Sequence, residues 1–555
     1  LGREPGTGQD PQPPLEDRHG IPNSGACLRC NLQMEGSGVS ADDVVVDAGE
    51  VGSGDKGPRK SVKDVGIRVD RADGFVLRNL KVRHAREHDI YVLEADGYRL
   101  DRFKTYWGGE YGVLTFVEDH GVMRNCEAAG SGDSGLYPGA GAKTSAGRDT
   151  KYYPAFRYSQ EIRLCDSHHN DGGYSGTDGN ATHIDHNNFY DNALGFTTDV
   201  FTAPGHPGFP QQGDLIEDNN FYSNNFNPYV AGSDVKPSIA APVGTGLWIA
   251  GGNDNIVRNN RFWDNRRRGV MLFAVPDSTV CGPGIGSPVT GCDSSKMSTS
   301  YNNSFYGNVM GVAPDGSRQP NGTVFWWDSF AGNTGNCWYA NTAAPGHSVT
   351  SSPSPLPDCA GGTDPSASTG TGDVQNESEL TSCLAGFEVS GYPNGNQTIC
   401  TWTQTPAKPT RSQSDRQLDA FVDFCRRLGA NPTCTPFAAE LSARGVVLDT
   451  HAPSLGSDLG SAWPQPASLS SRPLGLFTCA DWKRRSSALR GNVLGRLRRW
   501  VGGAVEGSAL IGYGAVLPDD VATVLFDARC SQPHSASFAL YKIYGSAAGF
   551  AGVAP

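Results

Sequence analysis

Val122-Met123-Arg124-Asn125-Cys126-Glu127-Ala128 and Ile256-Val257-Arg258-Asn259-Asn260-Arg261-Phe262 are copies of one pattern: a short apolar strand, an asparagine turn and a second short strand. Val76–Val82, Ile162–His168, Ile184–Tyr190, Ile216–Phe221 and Tyr301–Phe305 repeat it, and Tyr98–Phe103 is a degenerate member. With the first Asn or its equivalent as marker, the copies fall at 79, 101, 125, 164, 187, 219, 259 and 302, and the shortest steps are 22, 23 and 24 residues. Alternating strands closed by Asn or Gly turns at that period are what one rung of a β-solenoid requires. Asparagine suits a left-handed turn, and its amide can bond the next rung.

A glycine-led strand follows each marker: Gly112-Val113-Leu114, Gly135-Leu136-Tyr137, Gly173-Tyr174-Ser175, Gly195-Phe196-Thr197, Gly246-Leu247-Trp248 and Gly269-Val270-Met271, with Ile90-Tyr91 at the start. The residue after Gly is always bulky and apolar, which places it inside. Its successor then points outward by the two-residue period of a strand. The outward series reads Tyr91, Leu114, Tyr137, Ser175, Thr197, Trp248 and Met271.

Composition agrees with a turn-rich β protein. The 555 residues include 71 Gly and 36 Pro, and only 19% are charged, which excludes a helical bundle or coiled coil. A formal charge of -12 leaves no basic footprint, so nucleic acid is not an expected partner. No apolar run is long enough to span a membrane. Leu1-Gly2-Arg3-Glu4-Pro5, with neither Met nor a charged-then-apolar leader, reads as a mature chain after removal of an export signal.

The repeat resembles that of the right-handed parallel β-helices of the pectate-lyase-like superfamily, over residues 30–345. The resemblance implies an exported protein that binds or modifies a polysaccharide, an acidic one for the lyase or epimerase type, with glycosidases also in the superfamily. The alternative is a non-catalytic extracellular structural or surface-assembly protein. The expected fold is mainly β: an N-terminal arm (1–29), a right-handed parallel β-helix (30–345), and Ser/Pro/Gly-rich linker or disulfide-pinned loops (346–412). A short helical segment with loops (413–476) and a small α-helical C-terminal domain (477–555) complete it. Helical runs are expected at Asp415–Cys425, Asp481–Trp500, Asp519–Cys530 and Ser535–Tyr544. Thr478-Cys479-Ala480-Asp481-Trp482 with one later Cys is similar to HdeA-type periplasmic acid-stress chaperone domains.

Fourteen cysteines, many in close couples, point to disulfides and an oxidising location: extracellular, cell-surface or periplasmic. Cys126 and Cys165 occupy the same repeat position in consecutive marked rungs. Neighbouring strands lie ~4.8 Å apart, within the range a disulfide spans, so this pair should staple two rungs. Cys27–Cys30, Cys281–Cys292, Cys383–Cys400 and Cys425–Cys434 are expected as near pairs, leaving Cys337–Cys359 and Cys479–Cys530.

Candidate chemistry lies on the outward face and on loops inserted after Tyr137 and Asp199. Tyr91, Tyr137, Tyr158 and Trp248 could stack on sugar rings or pack beneath those loops. An acidic-polysaccharide lyase or epimerase needs a carboxylate neutraliser, a base and a proton donor. Arg157 with Asp178 or Asp199, and Tyr137, Tyr158 or His206 as base, could fill those roles. Asp178 and Asp199 could instead serve a glycosidase, or cap turns and hold a structural calcium ion. No cofactor is required by this chemistry. His168, His169, His183 and His186 resemble a metal cluster but sit at repeat positions of alternating direction. The expected partners are a polysaccharide or cell-surface glycan and, through the solenoid ends, further copies of the chain.

Overall fold

The computed structural model describes residues 31–50, 57–118, 121–141, 158–200, 208, 210–276, 297–328, 330, 332–359, 380, 383, 387, 400–409, 477, 479–484, 487–502, 516–531, 540, 543–544 and 547. The chain parts into two compact units, 1–35 with 45–454, and 36–44 with 455–555.

The first unit is a parallel β-helix whose rungs each contribute three strands. One ten-stranded parallel sheet stacks, among others, His88–Leu93, Tyr111–Phe116, Ser134–Gly139, Gly172–Ser175, Leu194–Asp199, Thr245–Ala250 and Arg268–Phe273. An eighteen-stranded sheet holds the other two flanks. In the two rungs at Val76–Arg83 and Arg99–Tyr106 those flanks run on as single strands, and afterwards they are separate pieces such as Gly121–Arg124 and Glu127–Ala129.

The residues after the marker glycines do line the interior. Val113, Leu136, Tyr174, Phe196, Leu247 and Val270 stand in register and are fully buried. On another flank, Phe189, Phe221 and Phe262 stack ring on ring at 5.2 and 4.7 Å. Burial of these apolar side chains supplies much of the stabilisation, and identical register lets rings on successive rungs stack.

The strands turn at single residues held at positive φ. At the first corner these are Asn79, Arg102, Asn125, Leu164, His186, Asp218 and Asn259. The repeat alignment by first asparagine therefore needs correcting. Asn187 and Asn219 stand one place after the turn, and Asn302 belongs to a different corner, where its amide bonds Asp254 at 3.1 Å. The turn itself accepts several residue types. The stricter demand falls on the next residue, whose side chain points inside.

There the asparagines form ladders. Asn187, Asn219, Asn260, Asn308 and Asn341 pass amide bonds along the axis at 2.8–3.2 Å. Each Oδ1 of the next rung also accepts the backbone N–H of the one before, as Asn219 does for Asn187 at 2.9 Å. A second ladder joins Asn170, Asn192, Asn224, Asn265 and Asn321, and a third joins Asn255, Asn303 and Asn336. In the ladder rungs, Asn321 apart, each of these asparagines follows a residue at positive φ, and its amide satisfies buried backbone groups that a sharp turn would otherwise orphan.

Disulfides link Cys126 with Cys165, Cys337 with Cys359, Cys383 with Cys400 and Cys479 with Cys530. The expected pairs 27–30, 281–292 and 425–434, and the helix expected at 415–425, lie outside the described residues.

In the second unit, α1 (Cys479–Arg484), α2 (Ser487–Gly502) and α3 (Asp519–Cys530) surround Phe477, Trp482, Leu497, Phe526 and Tyr544. The single run expected over Asp481–Trp500 is two helices. The disulfide joins the first residue of α1 to the last of α3. Trp482 Nε1 donates to Asp527 at 2.8 Å, which satisfies a buried indole. Val39, from the 36–44 segment, packs on this core. No helix among the described residues is long and apolar enough to cross a membrane.

Candidate functional site

The outer surface of the ten-stranded sheet has two halves. Over its C-terminal rungs it is sealed. Trp248, Met271, Phe273 and Trp326 lie beneath Tyr229, Ala240, Ala241 and Val243 of one loop and Leu380, Phe387 and Trp402 of the Cys383–Cys400 region. The Arg267 guanidinium fastens that cover, donating to the carbonyls of Thr401 at 2.9 Å and Gln404 at 2.7 Å. Trp248, a candidate sugar platform from its position, is 2% exposed and forms part of this core.

Over the N-terminal rungs the same surface carries an aromatic strip. The Arg68 guanidinium sits 5.1 Å over the Tyr91 ring, and His88 meets Tyr91 edge-on at 5.2 Å. His88 stacks on Tyr111 at 5.2 Å, and Tyr111 meets Tyr137 at 4.4 Å. Tyr91 and Tyr111 are partly exposed, whereas Tyr137 is 8% exposed and shares a side-chain hydrogen bond with Thr177.

Beside the strip runs a column of acids that the sequence reading missed. Asp64, Glu87, Glu110, Asp133 and Asp171 each immediately precede the outward strand on five successive rungs, aligned by one backbone ladder. The signal was present: an acid directly before Val65, His88, Tyr111, Ser134 and Gly172. Burial deepens along it, from exposed Asp64 and Glu87 through Glu110 to buried Asp133 and Asp171.

Electrostatics follow burial. Desolvation pushes the Asp133 carboxyl up to about 7, against the pull of its 2.7 Å bond from Ser134. It raises Asp171 well above the carboxylate range, although the Tyr229 hydroxyl donates to Asp171 at 2.6 Å. Glu110 is raised by burial and then by neighbouring Glu87. Burial, assisted by Arg68, lowers His88 to about 4, so its ring is neutral at physiological pH.

Asp199 faces outward at the end of its strand, 1% exposed. It accepts hydrogen bonds from Thr177 at 2.6 Å, Ser175 at 3.3 Å and Thr197 at 3.4 Å. Asp178 is a corner residue at φ 53° whose N–H bonds the Asp199 carbonyl at 2.9 Å, so the two acids are neighbours in different roles. Tyr158 lies on another flank, stacked on His183 at 4.5 Å, where His183 bonds Glu217 at 2.9 Å. Arg157 and His206 lie outside the described residues.

The four histidines do not converge. His168 meets Glu127 at 3.3 Å, His169 bridges Asp191 and Asp234 at 3.1 and 3.0 Å, and His186 meets Asp185 at 2.7 Å. Among the described residues no group of three or more His, Cys, Asp or Glu is placed to hold a metal ion. A separate stack of His168, Tyr190, Tyr222 and Trp263 runs along another flank, with ring centroids 4.3–4.9 Å apart.

No family model matches the chain, and no curated protein does. Among solved structures, the chain is similar to the A-module of the Azotobacter vinelandii mannuronan C-5 epimerase AlgE6, with 13% identity and a TM-score of 0.34 over 58% of this chain and 82% of that one. It is similar to the periplasmic alginate epimerase AlgG at 10% identity and a TM-score of 0.33, covering 54% and 67%. It is also similar to an alginate lyase from Paenibacillus sp. str. FPU-7 at 13% identity and a TM-score of 0.28, covering 54% and 85%.

Proposed function

We propose that this is an exported β-helix protein that binds or modifies a polysaccharide on the open half of its ten-stranded sheet. One observation carries the reading: the continuous His88–Tyr91–Tyr111–Tyr137 strip lies directly against a graded column of carboxyl groups. Ring faces and C–H faces of sugars stack favourably, and carboxylates accept sugar hydroxyls. Asp133 retains its proton to about pH 7. Asp199, on the same face two rungs on, is held by three hydroxyls. A buried proton donor and a positioned carboxylate are the equipment that glycoside or uronate chemistry uses. The disulfides support an oxidising location. The activities of the similar structures accord with the reading, but at such TM-scores they add no weight to it.

A glycan-array screen with product analysis tests this. Wild type should retain at least one polysaccharide. Tyr91→Ala should lose it with the unfolding midpoint little changed, because its side chain is partly exposed. An array that captures no glycan overturns the reading.

A further inference from the structure

We propose that a bound water molecule continues the second asparagine ladder into the N-terminal rungs, held inside the solenoid between Asp89, Thr105 and Ser131. The site is independent of the outer face, although His88 and Tyr111 directly precede Asp89 and Gly112.

Comparison of successive rungs shows why a water belongs there. Along the flank before the second corner, Thr105, Ala128 and Ser167 stand in register with their side chains buried inside. The ladder position comes three residues later on each rung, at Gly108, Ser131 and Asn170. On the last of these rungs an amide serves the polar groups. Asn170 Nδ2 donates to Ser167 Oγ at 3.2 Å and to the Ala128 carbonyl at 3.3 Å, and its Oδ1 accepts the Ser131 N–H at 2.8 Å. Two rungs earlier no amide can take that role. A Cβ on Gly108 would lie 2.6 Å from the Tyr111 carbonyl oxygen, so the position is closed to a side chain. Asp89 supplies the acceptor instead, its Oδ1 receiving the Ala85 N–H at 3.0 Å.

Three polar atoms are then left over. Asp89 Oδ2, Thr105 Oγ1 and Ser131 Oγ are buried, and none has a hydrogen-bond partner among the described residues. They come from three successive rungs at one corner. A Cβ on Gly112 would lie 2.6 Å from Thr105 Oγ1 and 3.3 Å from Ser131 Oγ, and one on Gly108 would lie 3.5 Å from Asp89 Oδ2. All three atoms therefore border glycines of a single rung. Buried polar atoms are almost always paired, and an internal water typically makes about three hydrogen bonds to groups without another partner. One water meets that count, since it both accepts and donates among two hydroxyls and a carboxyl group. Burial raises the Asp89 carboxyl well above the ordinary carboxylate range, so the place is neutral and a cation gains little there.

The test is a double-mutant cycle on the full chain, with Thr105→Val, Ser131→Ala and both together, read as the unfolding equilibrium constant in urea. Each single variant should raise that constant about three- to tenfold, because it takes a partner from the water. The double variant should raise it by clearly less than the product of the two, since a shared water is lost only once. Hydroxyls that bind nothing give the opposite sign: removing an unpaired buried group leaves the constant unchanged or lowers it, and that overturns the inference. Effects that simply multiply overturn it too. A midpoint that shifts when sodium replaces potassium at fixed ionic strength would identify a cation and reject the water. A crystal structure of the unaltered protein should show one density peak within about 3.2 Å of all three atoms. Its absence overturns the inference even if every variant fails to fold.

Discussion

The first corner of the solenoid is solved in two ways along its length. In the N-terminal rungs the inside position after the turn is Leu80, then Phe103, then the Cys126–Cys165 disulfide. From Asn187 onward the same position is a ladder of asparagines. The junction is direct, since the Cys165 N–H donates to Asn187 Oδ1 at 3.0 Å. An apolar corner is held by area removed from water and tolerates changes of shape. An amide corner is held by directional bonds and tolerates none. The outer face changes along the same axis: the aromatic strip begins on the apolar half, and the Trp248, Met271 and Trp326 core lies on the ladder half.

The largest effect should come from exchanging one solution for the other. Asn260→Leu removes the acceptor of the Asn219 N–H and the donor to the Ile216 carbonyl. At about 1–3 kcal/mol for each buried group left unpaired, the loss should be about 3–5 kcal/mol in urea unfolding. Leu80→Met, a volume-conserving change, should cost less than about 1.5 kcal/mol. Similar costs for both would erase the distinction.

Next comes the staple at the junction. Cys126→Ala with Cys165→Ala opens a link of sequence separation 39 and should cost about 2–4 kcal/mol. Placing Asn at both positions should recover part of that, because the ladder would extend by two rungs. No recovery would mean that the apolar half cannot accept the amide geometry.

A smaller effect is predicted at Asp214, which occupies the third ladder's position one rung before Asn255. Burial raises this carboxyl from 3.8 to about 7. The folded state then holds a proton that the unfolded state has lost between those values. Stability should fall as pH rises from about 4 to about 7 and level off beyond. Asp214→Asn should be near neutral at pH 4, stabilise by more than about 1 kcal/mol at pH 8, and flatten part of the slope. Asp133, raised likewise on the open half, accounts for another part. Unfolding curves at several pH values with no change in slope would contradict both assignments.

The smallest effect belongs to His169, which bridges Asp191 and Asp234 at the second corner. Hydrogen bonds to both carboxylates outweigh burial and raise it above 6.5. Its contribution is present below that value and lost as pH rises through the raised pKa. The sites are solvent-accessible, so Asp234→Asn should cost less than about 1 kcal/mol at pH 6 and nothing at pH 9. An equal cost at both pH values would show that charge is not involved.

Much of the solenoid was legible in the chain. Bulky residues after Gly112, Gly135, Gly173 and Gly195 point inside because strand alternation is local, and Cys126 with Cys165 shared a repeat position that adjacent strands can bridge. The asparagine register was legible only in part. The turn residue and the inside residue are adjacent, and either can be Asn, so Asn125 marks one position and Asn187 the next. The acid column was visible as a pattern from Asp64 to Asp171, but its meaning depended on burial.

The sequence by itself determined the rung: its period, its inward and outward faces, its left-handed turns and one of its staples. Each is dictated by chirality, alternation and side-chain size within a couple of dozen residues. Tertiary structure decided which outward positions remain open. Trp248 and Tyr91 stand at equivalent outward positions, yet the loop before Trp248 and a segment some 150 residues further on pack over Trp248 alone. It also decided the protonation of Asp133, whose carboxyl burial raises to about 7. Desolvation is a property of everything packed around a carboxyl group, and the chain near it contributes only a small share.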